Sequence, residues 1–165
     1  MRILGVDCGS VVTGVGIVEA DGHAYRLLHF GAIRTKATQP FAVRLVQIHR
    51  ELVRLVERFR PHSVALEQVF QARNVKSALQ LSQVRGVVQL AAAQAGLPVS
   101  EYSALSVKKS VVGYGLAEKR QVQRMVQRLL GLPAAPQPAD AADALAVALC
   151  HLHAETTRLR QSRRM

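Results

Sequence analysis

Four of the eleven acidic side chains stand where a structural role explains them poorly, and together they define the chemistry to look for. Asp7 closes the apolar run Ile3-Leu4-Gly5-Val6, and Glu67 closes Val64-Ala65-Leu66. Asp140 and Asp143 lie three apart among the alanines of PADAADALAVALCHLHAE. Taken singly, Asp7 or Glu67 could pair with a buried arginine, Asp140 could cap a helix and Asp143 could favour its dipole. Taken together they point elsewhere, because strand ends and helix starts converge on one edge of a mixed sheet. The spacing of three sets Asp140 and Asp143 on one helical face. Four carboxylates in a small volume repel unless they are protonated or share cations. An all-oxygen ligand set favours Mg²⁺ or Mn²⁺, and two such ions about 4 Å apart can activate water at a phosphodiester.

The other acids have ordinary explanations. Glu51 and Glu57 sit among arginines on one helix, Glu19 and Asp21 flank a turn, Glu118 opens a helix and Glu155 lies near the end of the chain. Glu101 ends a strand and is ambiguous. Against 11 Asp and Glu stand 22 Lys and Arg, a formal charge of +11 that attracts polyanions. Nucleic acid is therefore the expected partner; a basic membrane-surface protein would need an amphipathic helix with apolar bulk, and none is clear. An apolar fraction of 49% against 20% charged residues excludes disorder throughout. The expected organisation is one domain over residues 1–155 and a basic, disordered tail over 156–165. Cys8 and Cys150 are far apart and match neither a disulfide framework nor a metal spacing. No apolar run approaches the roughly 20 residues of a membrane span, and Asp7 interrupts the one stretch that could pass for a signal peptide, so a cytoplasmic protein is expected.

The elements that must position the acids can be read from pattern. Residues 2–8 form a strand, TGVGIVEA a second, and HAYRLLHFGAIRT, after the Asp21-Gly22 turn, a third, all antiparallel neighbours. Apolar positions 41, 45, 48, 52, 55 and 59 mark one helical face between Pro40 and Pro61, with Arg44, Arg50, Arg54 and Arg58 read as solvated surface. SVALEQV is a fourth strand, VKSALQLSQVRGVVQLAAAQAG a long helix and LPVSEY a fifth strand. Three further helices follow in SALSVKKSVVG, EKRQVQRMVQRLLG and PADAADALAVALCHLHAE. Gly86 weakens the long helix and suggests close backbone approach there, with a partner subunit as one possibility. His151 and His153 are two apart on a helix, poor joint ligands, and expected at the surface. The fold class is α/β, a mixed five-stranded sheet with helices on both faces.

Four blocks carry a family resemblance. ILGVDCGSVVTGVGIVE, ALEQVFQARNVKSALQLSQVRGV, VKKSVVGYGLAEKRQVQRMV and PADAADALAVALCHLH follow one another over nearly the whole chain and resemble the RuvC family of bacterial Holliday-junction resolvases. The resemblance implies a ribonuclease-H-like fold, a homodimer, and Mg²⁺-dependent paired nicking of a four-way DNA junction that leaves 5′-phosphate and 3′-hydroxyl ends. It makes Asp7, Glu67, Asp140 and Asp143 the catalytic, metal-holding acids. It assigns Phe70 to stacking at the opened centre of the junction, against the plainer reading of a packed aromatic, and it sets Lys108 and Lys119 near the scissile phosphate. A branch-migration complex of RuvA and RuvB is the implied cellular partner.

Cys8 departs from the pattern, since relatives usually carry proline there. Strand alternation turns it away from the Asp7 side, yet a thiol so close suggests sensitivity to soft metals or oxidation. Two other readings stay open. DCGSVVTG also fits the first phosphate loop of actin-type and sugar-kinase ATPases, although those need a second such domain and loop. A ribonuclease-H-like nuclease could also act on another nucleic acid, because fold does not fix substrate.

Overall fold

The computed structural model describes residues 1–22, 24–68 and 74–162. The chain runs β1 (Arg2–Asp7), β2 (Val12–Asp21), β3 (Ala24–Arg34), α1 (Phe41–Phe59), β4 (Ser63–Glu67), α2 (Val75–Gln94), β5 (Val99–Tyr102), α3 (Ala104–Val112), α4 (Lys119–Leu129) and α5 (Ala139–Ser162). One sheet orders the strands β3-β2-β1-β4-β5. The first three are antiparallel, while β4 lies parallel to β1 and to β5. The expected mixed sheet with helices on both faces is what forms. Among the described residues no helix is long and apolar enough to cross a membrane.

Strand alternation divides the core in two. Leu4, Val6, Val64 and Leu66 point to one face and pack under α1 and α2 with Ile48, Leu52, Val84 and Val88. Ile3 and Ala65 point to the other face and meet α5, whose residues 144–150 are all buried, together with Val107 of α3 and Val122 and Val126 of α4. Pro40 precedes α1 and Arg60 ends it in the left-handed region, its N–H bonded to the Val56 carbonyl at 2.8 Å. Asn74 caps α2 by accepting from the Ser77 N–H at 2.8 Å.

The seat of α5 on the sheet depends on missing side chains. A β-carbon on Gly5 would lie 2.1 Å from the Ala144 carbonyl oxygen, and one on Gly14 2.0 Å from the Asp140 carbonyl oxygen. Both contacts are with backbone, which cannot swing aside. Alanines 144 and 148 complete the close approach from the helix side.

Three expectations need correcting. Residues 156–162 are not a disordered tail but continue α5. Thr156 and Thr157 hydroxyls donate to the Leu152 and His153 carbonyls at 2.8 and 2.9 Å, and Arg158 pairs with Glu155 at 3.1 Å. His151 is not at the surface but 4% exposed, bonded through its two ring nitrogens to Tyr102 Oη at 2.7 Å and Ser63 Oγ at 2.9 Å; burial lowers its pKa. His153 is half-buried against the Tyr25 ring and bonded to Ser110 Oγ at 2.9 Å. At Gly86 an added β-carbon would meet nothing within 4 Å, so no described part of this chain makes the close approach anticipated there.

The two glycine environments predict opposite outcomes in urea denaturation. Gly5→Ala forces helix and sheet apart and lowers stability by about 3 kcal/mol. Gly86→Ala, in open space within a helix, raises monomer stability by about 1 kcal/mol.

Candidate active site

Asp7 and Glu67 end adjacent parallel strands, one step beyond the paired Val6 and Leu66. Alternation turns both toward the α5 face, Asp7 in phase with Ile3 and Gly5, and Glu67 in phase with Ala65. Asp7 is also the register partner of Gly14, the glycine on which the Asp140 backbone rests. The first turn of α5 is thus set beside the end of β1, and Asp143 follows one turn later. Asp140 lies inside that first turn and does not cap the helix. Lys108 from α3 and Lys119 from the start of α4 close the other side of a cavity of about 240 Å³ that Glu67 and Asp143 also line.

The four acids sense one another. Burial, then the charges of Asp143, Glu67 and Asp140, raise the Asp7 pKa from 3.8 to about 7, with Lys119 opposing. Burial and Asp143 raise Glu67, against Lys119 and Lys108. Burial likewise raises Asp143, against its bond to Lys119, whose Nζ lies 2.5 Å from Asp143 Oδ2. Partial burial works against the Lys119 ammonium, yet that bond and the charges of Asp143, Asp7 and Asp140 raise its pKa.

No described residue donates a hydrogen bond to the carboxylates of Asp7, Glu67 or Asp140, so their oxygens are free to accept a cation. The all-carboxylate donor set fits a hard divalent ion. Among the described residues no three His, Cys, Asp or Glu side chains stand close enough to ligate one ion as they are, so holding an ion calls for rotamer adjustment. Phe70 falls outside the described residues.

Arg44 was expected on a solvated face and is instead 5% exposed, with no carboxylate partner among the described residues. Its Nη2 donates to the Ser10 carbonyl, its Nε donates to Thr35 Oγ1 at 3.1 Å, and its guanidinium lies 5.2 Å from the Phe41 ring centre. Thr35 Oγ1 also donates to the Ser10 carbonyl at 3.1 Å, and Thr13 Oγ1 donates to the Gly9 carbonyl at 2.8 Å. The turn that follows Asp7 is therefore clasped by Arg44 of α1 and by Thr35, the residue after β3. A signal was available, since 44, 48 and 52 repeat every four residues on the buried stripe.

Cys8 does point away from the acids, into the cluster beneath α1 and α2. Burial and the neighbouring Asp7 charge push its thiol up to about 12, which disfavours the thiolate that soft-metal or oxidative sensitivity would use. Glu101 is paired with Arg85 at 2.7 Å and accepts from Gln89 Nε2 at 3.0 Å, a structural tie between β5 and α2.

The raised Asp7 pKa gives a signed prediction. Between pH 3.8 and about 7 the folded protein binds the Asp7 proton and the unfolded chain does not, so stability falls as pH rises through that window. In chelator at pH 8, Asp7→Asn is expected to be more stable than the parent by a few kcal/mol, with the difference vanishing near pH 4. Thermal melts at the two pH values measure it.

Residues 3–151 match the family described as crossover junction endodeoxyribonuclease RuvC. A RuvC of Koribacter versatilis is 53% identical over 95% of each chain, and one of Geobacter sulfurreducens is 55% identical over 92% of each. The structure of Thermus thermophilus RuvC in complex with a Holliday junction substrate superposes with a TM-score of 0.90 at 37% identity, covering 94% of each chain. On this similarity and on the ribonuclease-H-like sheet with acids at its strand ends, the chain belongs to the RuvC family of crossover junction endodeoxyribonucleases.

Proposed function

We propose that the cluster of Asp7, Glu67, Asp140 and Asp143, beside the cavity that Glu67 and Asp143 line, is the site at which this endonuclease cuts a four-way DNA junction, by paired symmetric nicks that leave 5′-phosphate and 3′-hydroxyl ends. The observation that carries this reading is Asp7. Its partly buried carboxylate stands among three other acids with no described hydrogen-bond donor, in a protein of charge +11. Such a group is unfavourable alone and useful beside a cation. The four carboxylates would hold two Mg²⁺ ions, or Mn²⁺ in their place, which when bound supply an activated water and stabilise the leaving oxygen.

The protein's own groups complete the site. Lys119 balances the charge of Asp143 before substrate arrives and, with Lys108 on the same side of the cavity, would neutralise negative charge that builds on the phosphate oxygens. Arg44 holds the turn after Asp7 and so fixes the direction of that carboxylate. Phe70 is proposed to stack on a base at the junction centre. The surplus of basic residues draws the DNA in, acting in the cytoplasm, with RuvA and RuvB as the implied branch-migration partners.

A homodimer would set two such sites on opposed strands of a two-fold substrate. The exposed stripe Leu79, Gly86 and Leu90 of α2, which meets Val46 of α1 along an apolar groove of about 280 Å³, is the surface proposed for it.

Cleavage of an end-labelled four-way junction, beside linear duplex and an RNA–DNA hybrid, tests the reading. Nicks on the junction alone, abolished by chelator, are expected. Asp7→Asn, Glu67→Gln, Asp140→Asn or Asp143→Asn each slow cutting by about a hundredfold or more while junction binding persists. Preferential cutting of the hybrid, or substantial cutting by the Asp7→Asn protein, would contradict the assignment. Leu90→Asp should shift a dimer to monomer in analytical ultracentrifugation, and an unshifted dimer places the interface elsewhere.

A further inference from the structure

The turn between α3 and α4 carries apolar side chains that the fold does not use. Leu116 is 90% exposed and Tyr114 46%, and Leu105 on the adjoining face of α3 is 51% exposed. A single exposed leucine is ordinary on a protein surface; three in one short stretch, raised on an anchored turn beside the acidic pocket, are not explained that way.

The turn is held on both sides of Leu116. Gly113 ends α3 in the left-handed region, with φ 98°, and its N–H bonds to the Lys109 carbonyl at 2.9 Å. Gly115 lies against the Leu105 side chain, whose Cδ1 would be 2.3 Å from an added β-carbon, so the turn folds back onto α3. Ala117 is fully buried, and the Gln121 side chain accepts from the Glu118 N–H at 2.7 Å to open α4. Leu116 is thus presented by a fixed scaffold, so ordering it on a partner costs little.

Its neighbours indicate the partner. Lys108 and Lys119, at the two ends of the segment, line the carboxylate cavity, and Lys109 and Arg120 flank them; Glu118 is the one acid between Ala104 and Arg120. A polyanion is drawn to such a surface, but an apolar tip has nothing to gain from phosphate. Its favourable contact on DNA is with base edges and faces, where leucine acts as a wedge between base steps and tyrosine as a stacking surface.

We propose that Tyr114 and Leu116 form a DNA-reading tip that contacts, and partly unstacks, bases next to the cleaved phosphate. The proposal rests on the reading of the carboxylate pocket as the cleavage site. It makes the tip a determinant of which step is opened for cutting, separate from the acids that carry out the hydrolysis.

The test uses the full chain and a junction with 2-aminopurine one base from the cut, bound in chelator so that nothing is hydrolysed. Wild-type binding should raise the fluorescence as the base unstacks. The double variant Tyr114→Ala, Leu116→Ser, both exposed and therefore expected to fold normally, should lose most of that rise. In Mg²⁺ it should nick about tenfold more slowly, or with altered sequence preference, while junction Kd changes much less. An unchanged fluorescence rise together with unchanged nicking would overturn the proposal, as would a loss of dimer in ultracentrifugation, which would assign the tip to contact between two copies. The fluorescence is read without cutting, so a wild-type protein that binds and unstacks but never nicks would refute the cleavage reading while leaving the tip supported.

Discussion

The structure depends on the closeness of α5 to β1 and β2. Side chains ordinarily hold a helix off the sheet it packs on; here Gly5 and Gly14 on the strands, and Ala144 and Ala148 on the helix, allow backbone to approach backbone. That contact buries the helix on nearly every side, which is why its middle consists of alanine, valine and leucine with no polar face. It also fixes the height of Asp140 and Asp143 above the strand ends. One larger residue at either glycine would lift half of the acidic cluster away from the other half.

The same contact creates an electrostatic conflict. Asp7, Glu67 and Asp143 are all raised above ordinary carboxylate values, burial being the first cause and mutual repulsion the next. Lys119 relieves part of it through Asp143, but no described donor serves Asp7 or Glu67. Stability is given up at the acids proposed to receive a cation, a common relation between function and folding. The rigid surroundings hold the conflict in place. Arg44 and Thr35 clasp the turn after Asp7, and His151 ties α5 to the start of β4 through Ser63 and to the end of β5 through Tyr102.

Much of this was legible in the sequence because its signals are local. Pro40 and Pro61 bracket α1, the period-two runs mark β1 and β2, and the scarcity of acids makes Asp7, Glu67, Asp140 and Asp143 stand out one by one. What stayed hidden was set by tertiary contact. Arg44 looks like its neighbours Arg50 and Arg54 until the β1–β2 turn is folded over it. His151 looks like surface until Ser63, 88 residues away, supplies its partner. The helical continuation beyond residue 155 is hidden because a basic composition resembles a disordered tail, whereas α5 runs on to Ser162 with an i,i+3 ion pair between Glu155 and Arg158 on its surface. The glycines of β1 and β2 could be seen as weak strand formers, but only the packed helix explains them.

Anomalous diffraction from crystals grown with Mn²⁺ would test most directly the claim that this contact assembles a metal site. One or two ions are expected within about 2.6 Å of Asp7 oxygens, shared with Glu67 and with Asp140 or Asp143, and with Lys119 moved off Asp143. Manganese bound elsewhere, with Asp7 touching no ion and Lys119 still on Asp143, would contradict it.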